Sequence, residues 1–323
     1  MNIKDLTQIE GLSFDIIAGK SGIDNKIKNE IVYFPELLIT GFDVNSGKDS
    51  IQIISCDALN YAKENPNLLK NLTKTSPPCI IIPYDVSPPD SLIQICNENK
   101  IPLLVTNLSL FDIRNKIEYR LEREFAPSVL VHGTLIDVYG MGVLLQGTSG
   151  IGKTECALDL VFRGHRLVAD DVVKIIKRKD GKLEGEGIEK NEKLKHHIEI
   201  RGIGILDLRS IFGIRGVRRR KGIELVVSLY EARCKTPAEI TGIESKTCKI
   251  LDVELTEVPI PLVPGKNISA LIEVIALNKV LKLSGINSAV KFNEELIRVM
   301  KSHRRKDKKI KNEQGGNYNG VTG

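Results

Sequence analysis

Between a short apolar run, MGVLLQ (141–146), and a segment of helical period, KTECALDLVFRGH, the chain carries GTSGIGKT at 147–154. This satisfies the phosphate-loop spacing G-x-x-x-x-G-K-[ST], and the flanks supply the strand and helix that the loop requires. Cys156, Ala157, Leu160 and Val161 recur at helical spacing, and Gly164 is the expected stop. The glycines let backbone amides turn toward phosphate oxygens, and the helix N-terminus adds positive potential. Gly147, Thr148, Ser149, Gly150, Ile151, Gly152, Lys153 and Thr154 are therefore the candidate nucleotide-binding residues. Lys153 is placed to reach the outer phosphates, and Thr154 to ligate Mg²⁺. Such a loop serves catalysis or nucleotide binding alone, and the motif does not separate the two.

A chain of 323 residues is long enough for two domains. Residues 79–106 read as strand, helix, strand: CIIIPYDV, then amphipathic SLIQICNENK, then IPLLVT. That order favours a parallel βαβ crossover inside a small N-terminal α/β domain, 1–127, assigned to assembly or regulation. A charged helix over 108–125 should end before Pro127, since proline lacks the amide hydrogen a helix interior needs. The second domain is expected at 128–300, beginning with the strand-rich SVLVHGTLIDVYG and MGVLLQG.

The net charge of +6 is concentrated in the tail from 301 onward, which holds seven basic residues against two acidic ones. A third segment, 301–323, is thus expected to be a basic, solvated end, and a nucleic-acid partner is disfavoured. The opening MNIKDLTQIEGLSF lacks the apolar core of a secretory signal, and no apolar run has the length of a membrane span. The six cysteines stand singly. A cytoplasmic protein is expected.

Transfer of a phosphoryl group to a hydroxyl needs a carboxylate beside the acceptor and an acidic ligand on the metal. In RLVADDVVKII (166–176), Asp170 and Asp171 interrupt a run patterned for burial. Adjacent carboxylates there imply a cation, a hydrogen-bond network or a strand-end position, unless they simply mark a turn between strands. In HHIEIRGIGILDL, Glu199 alternates with Ile198 and Ile200, near Arg201. Metal ligand and surface partner of Arg201 are both open readings. His132 in VLVHGTL is likewise a turn residue, a core residue or a catalyst.

The blocks VHGTLIDVYGMGVLLQGTSGIGKTE, RGHRLVADDVV, IEIRGIGILDLRSIFGIRGVR, ILDVEL, PLVPGKN and IEVIALN, in this order over about 128–282, resemble the HPr kinase/phosphorylase family. Members of that family phosphorylate a serine of HPr, the small phosphocarrier of the sugar phosphotransferase system, with ATP or pyrophosphate. They also remove the phosphate by phosphorolysis. The resemblance implies an α/β architecture: a small N-terminal α/β domain plus a C-terminal P-loop kinase domain similar to phosphoenolpyruvate carboxykinase. It makes His132, Lys153 and Asp171 active-site residues, with Asp171 accepting the seryl proton and returning it in reverse. It places Mg²⁺ on Thr154 and Glu199. Ile198, Glu199, Ile200, Arg201, Gly202, Ile203, Gly204, Ile205, Leu206 and Asp207 become a signature serving both reactions. Pro261, Leu262, Val263, Pro264, Gly265 and Lys266 become the phosphorolysis region.

The resemblance further implies a homohexamer, activation by fructose 1,6-bisphosphate and inhibition of the kinase direction by inorganic phosphate. The chain departs from the family pattern in three places. Ile240 aligns where an active-site arginine is usual, with Arg233 upstream; a guanidinium that neutralises transferring charge has no equivalent in isoleucine. PLVPGKN replaces the usual PVRPGRN, so Val263 and Lys266 stand at arginine positions, and lysine keeps charge without the bidentate fork. Thr148 stands where an aspartate is common. The alternatives are a nucleotide-dependent regulator without catalysis and a P-loop kinase with another acceptor.

Overall fold

The structure, a computed structural model, describes residues 1–9, 11–40, 47–188, 196–200, 202–231 and 246–287, with 291, 292, 295, 297 and 298 beyond. Arg201, Arg233, Ile240 and the basic tail lie outside the described residues. The chain divides into two compact units, Met1–Pro127 and Ser128–Gly323.

The first unit runs α1 (Ile3–Thr7), β1 (Asp15–Ala18), β2 (Val32–Tyr33), α2 (Glu36–Ile39), β3 (Ile51–Ile53), α3 (Cys56–Glu64), β4 (Ile80–Ile82), α4 (Asp90–Glu98), β5 (Leu103–Val105) and α5 (Leu110–Phe125). Its sheet has the order β1-β5-β4-β3-β2, with β2 to β5 parallel and β1 antiparallel at the edge. Ile80, Ile82, Leu103 and Val105 pack on one face with Leu59 and Leu92. Cys79, Ile81 and Leu104 pack on the other with Ile3, Ile113, Ile117 and Leu121. A parallel sheet covered on both faces needs strands that are apolar throughout, which explains the uninterrupted CIII and PLLV runs. Helix α5 starts where the Ser109 side chain accepts the Asp112 amide at 3.1 Å, and stops before Pro127.

The second unit comprises β6 (Ser128–His132), β7 (Thr134–Val138), β8 (Met141–Gln146), α6 (Lys153–Phe162), β9 (Arg166–Ala169), β10 (Val172–Lys177), β11 (Leu183–Gly187), β12 (His197–Ile200), β13 (Gly204–Asp207), α7 (Leu208–Phe212), β14 (Arg220–Gly222), β15 (Leu225–Glu231), β16 (Lys246–Ile250), β17 (Val253–Leu262) and α8 (Ile268–Leu283). They form a six-stranded sheet of order β16-β17-β15-β8-β7-β9, a four-stranded sheet β14-β11-β10-β6, and the hairpin β12-β13. Strands β8, β15 and β17 are mutually parallel at the centre of the larger sheet.

One face of that larger sheet, with Val143, Leu145, Val227 and Ile260, packs beneath α6 and α8 through Leu160, Val161, Ile272 and Ala276. The opposite face, with Leu144, Val226 and Leu255, packs on Val173, Ile175 and Leu183 of the smaller sheet. The run at 128–138, which reads in sequence as one strand-forming stretch, is divided at Gly133 between the two sheets. A Cβ at Gly133 would stand 2.6 Å from the Leu145 carbonyl oxygen, so the crossing is made where no side chain obstructs it.

Candidate active site

Two of the places where the chain passes between the two sheets, Gly133 and Asp170-Asp171, bear on the loop. Strand β6 pairs with β10 in the smaller sheet, and β7 pairs with β9 in the larger, so the two crossings lie side by side. The Gly133 amide donates to the Asp171 carbonyl oxygen at 3.0 Å and ties them together. His132 is the exposed last residue of β6, in register with Val172. Asp171 has a left-handed φ of 67°, a conformation that Asp and Asn tolerate better than other non-glycine residues. The backbone reversal leaves Asp171 exposed and turns its neighbour inward.

That neighbour, Asp170, joins the crossing to the phosphate loop. Its Oδ1 accepts the Thr134 hydroxyl at 2.6 Å, and its Oδ2 accepts the Thr154 hydroxyl at 2.9 Å. At the Asp170-Asp171 pair the structure shows both a bend between two strands and a hydrogen-bond network on Asp170. Burial pushes the Asp170 carboxyl above the usual carboxylate range, opposed by the bonds from Thr134 and Thr154. Ionisation therefore costs more in the folded chain than in the unfolded one. The fold loses stability as pH rises from the unfolded-chain value, about 3.9 for Asp, through the raised folded value. Asp170→Asn has no charge to bury. It is expected to melt at or above the wild-type temperature at pH 7, by a few degrees, with the difference closing below about pH 4. Thermal denaturation at the two pH values checks this.

The loop itself has the shape the spacing requires. Gly147, Gly150 and Gly152 all take positive φ, and a Cβ at Gly147 would come within 2.7 Å of the Leu229 carbonyl oxygen. The loop thus lies against the next parallel strand, where only glycine fits. Gly152 precedes α6, whose first turn holds Lys153 and Thr154. Lys153 is only 6% exposed, and its Nζ donates to the carbonyl oxygens of Gly147 at 3.0 Å and Thr148 at 3.1 Å. The ammonium therefore spans the cradle, while Thr148, Ser149 and Gly150 stay exposed and Ile151 packs against the core.

The signature stretch forms the β12-β13 hairpin. Ile198 and Ile200 are buried in the core that includes α6, which leaves Glu199 exposed on the opposite side, opposite Ile205. Gly202 and Gly204 take positive φ at the turn, and Ile203 and Ile205 are 70% and 72% exposed. Leu206 is partly buried against the core. Asp207 caps α7 by accepting the Arg209 amide at 3.0 Å and a short hydrogen bond from the Ser210 hydroxyl; the latter holds its carboxyl below the ordinary range. Pro261 and Leu262 end β17, and Val263, Pro264, Gly265 and Lys266 form the turn into α8, with Gly265 at a φ of 84°.

Thr134, Thr154 and Asp170 are thus joined by hydrogen bonds beside the loop, whose own carbonyl oxygens Lys153 holds, with His132 and Asp171 on the adjoining crossing. Glu199 lies between Ile198 and Ile200 on the hairpin strand that packs in the core with α6. Among the described residues no three His, Cys, Asp or Glu converge as a cation cage. The site residue absent from the sequence reading is Thr134. Its only signal was a hydroxyl two positions after His132, too common a feature to be read before its partner, Asp170, was placed.

A phosphate cradle between a buried strand and a helix, with a strand-end carboxylate on the cradle's threonine, defines the P-loop class of nucleotide-binding proteins. Residues 123–296 match the family model of the HPr Serine kinase C-terminal domain, and residues 1–121 that of the HPr Serine kinase N terminus. The chain belongs to the HPr kinase/phosphorylase family. It is 37% identical over 292 residues to the HPr kinase/phosphorylase of Geobacter sulfurreducens, covering 89% of this chain and 91% of that one. It is 36% identical over 299 residues to the HPr kinase/phosphorylase of Bacillus cereus, covering 91% and 95%. The structure of the Hpr(Ser) kinase/phosphatase from Coxiella burnetii matches with a TM-score of 0.44 at 32% identity, over 51% of this chain and 99% of that one.

Proposed function

We propose that this chain transfers the terminal phosphoryl group of ATP or pyrophosphate to a serine hydroxyl of HPr, and that in reverse it moves the seryl phosphate to inorganic phosphate, releasing pyrophosphate. The observation that carries the reading is the Asp170 carboxylate on the Thr154 hydroxyl, with Asp171 one residue further on and exposed. One crossing therefore presents an acid held on the loop and a second acid free to meet an incoming hydroxyl. Family membership supplies the acceptor.

In the forward direction the amides of 147–154 and the Lys153 ammonium hold the donor's phosphates, and Asp171 takes the seryl proton as the O–P bond forms. In reverse the protonated Asp171 returns that proton to the departing serine oxygen. His132, on the neighbouring strand end, is assigned to the same site. The Thr154 hydroxyl and the carboxylates of Asp170 and Glu199 are oxygen donors of the kind that suits Mg²⁺, which characteristically keeps several waters and substrate phosphates around one or two carboxylates. Bound there, Mg²⁺ neutralises phosphate charge. The segment 261–266 is assigned to phosphorolysis. With Val263 and Lys266 in place of two arginines, the reverse reaction is expected to run more slowly than in relatives that carry both.

We extend the reading, on family membership alone, to a homohexamer in the cytoplasm that responds to fructose 1,6-bisphosphate and inorganic phosphate. No helix of the described residues is long and apolar enough to cross a membrane. The test is direct: the full chain, incubated with HPr, ATP and Mg²⁺, should form phosphoserine, and added phosphate should then remove it and yield pyrophosphate. Nucleotide binding without phosphoserine would instead identify a non-catalytic regulator or a kinase with another acceptor.

A further inference from the structure

Strands β8 and β17 run parallel on either side of β15, so the turns that leave them, 147–152 and 263–267, emerge at one edge of the sheet. Each turn opens a helix, and the two helices meet along a polar seam as well as an apolar one. Near the turns, the buried Ser269 Oγ lies 3.5 Å from Cys156 Sγ and 3.5 Å from the Cys156 carbonyl oxygen. Four residues along α8, on the same helical face, comes Glu273.

Glu273 collects donors from three separate segments. His165 Nε2, ahead of β9, lies 2.9 Å from Oε1; the Tyr139 hydroxyl, at the tip of the β7-β8 hairpin, donates to the same oxygen at 3.2 Å. Arg163, just past the end of α6, reaches Oε2 at 3.4 Å and is itself held by Asp159 at 3.0 Å. His165 is 4% exposed, and Tyr139 stands edge-on to its ring with centroids 4.6 Å apart. Since Cys156 meets Ser269 and Arg163 meets Glu273, α6 and α8 run in the same direction, and both N-termini point to the edge where the turns lie.

Ile272 and Ala276 already hold α8 on the core by apolar contact. Apolar contact tolerates sliding, whereas a carboxylate fixed by three donors admits one register, and that register decides where the 263–267 turn sits relative to the phosphate loop. Neither the nucleotide nor the acceptor needs to touch Glu273 for this to matter.

We propose that Glu273 is a positioning residue that fixes the 263–267 turn against the phosphate loop, and so governs use of inorganic phosphate in the reverse reaction more than forward transfer. The proposal rests on the reading above, in which 261–266 serves phosphorolysis. The experiment compares full-length wild type with Glu273→Gln and with Tyr139→Phe, which removes a single donor, in both directions. In Glu273→Gln the KM for inorganic phosphate should rise about tenfold, while forward kcat and the KM for ATP stay within about twofold; Tyr139→Phe should shift the KM for phosphate in the same sense by about twofold. Equal losses in both directions that track a fall in melting temperature would assign Glu273 a purely structural role and overturn the proposal, as would an unchanged KM for phosphate. If Glu273→Gln does not fold, Tyr139→Phe decides by the same criteria. A wild-type protein that makes neither phosphoserine nor pyrophosphate overturns the functional reading itself, a result distinct from either.

Discussion

Asp171→Asn is expected to lose phosphoryl transfer in both directions by at least about a thousandfold while still binding nucleotide and melting close to wild type. The size follows from the general-base role proposed for Asp171, a role worth about 10²–10⁴ in rate, and from the absence of a second exposed carboxylate on the same crossing among the described residues. The substitution suits a mechanistic test because asparagine accepts the left-handed backbone found at this position, φ 67°. The Asp171 carbonyl that receives the Gly133 amide is unaffected, so the crossing keeps its shape. What disappears is one ionisable oxygen. Single-turnover formation of phosphoserine, set against equilibrium nucleotide binding by the same preparation, separates the two quantities; transfer within tenfold of wild type would remove Asp171 from the role of base.

The second large effect is expected at Lys153, and its signature differs. Lys153→Met keeps most of the buried stem, since methionine is unbranched and fills similar space, but deletes the ammonium that bonds the Gly147 and Thr148 carbonyl oxygens. The loop loses its internal tie as well as the charge proposed to meet the outer phosphates. A loss of about 10²–10³ in kcat/KM for ATP is expected, in the range found when one preorganised donor is removed from a transition-state site. Nucleotide binding should weaken with it. Asp171→Asn spares binding and Lys153→Met does not, so titration of the two variants with ATP distinguishes a defect in proton transfer from a defect in the cradle.

The cradle and the N-terminal sheet were legible because their signals are local. Spacing within eight residues defines the phosphate loop, and the CIII-helix-PLLV order defines a parallel crossover whose two faces must both be covered. The segment around Glu199 was also patterned as strand, and it forms β12, with Ile198 and Ile200 buried. The crossings were not legible. Apolar residues on both sides of Gly133 and on both sides of Asp170-Asp171 announce strands without saying which sheet each joins, and hydrophobic pattern carries no label for a partner. Strand β6 shows the limit: Val129 and Leu130 are apolar, yet 37% and 61% exposed. The contacts that build the site, Thr134 to Asp170 and Thr154 to Asp170, span 36 and 16 positions of chain. Helix α8 was equally mute, because a segment apolar on nearly every side, ISALIEVIALNKVLKL, presents no preferred face from which to single out Glu273.

The crossings at Gly133 and at Asp170-Asp171 also restrict how this site can change. Surface loops accept added residues readily, but each crossing is two residues or fewer between strands paired at both ends. Inserting or removing a single residue there would rotate a whole strand by half a turn, exchanging its inner and outer side chains. The spacing between acid and cradle is consequently quantised by the pleat of the backbone. Adaptation to a different acceptor must come from side-chain replacement, or from segments elsewhere, and a library of length variants at Gly133 or Asp171 should yield almost no folded members.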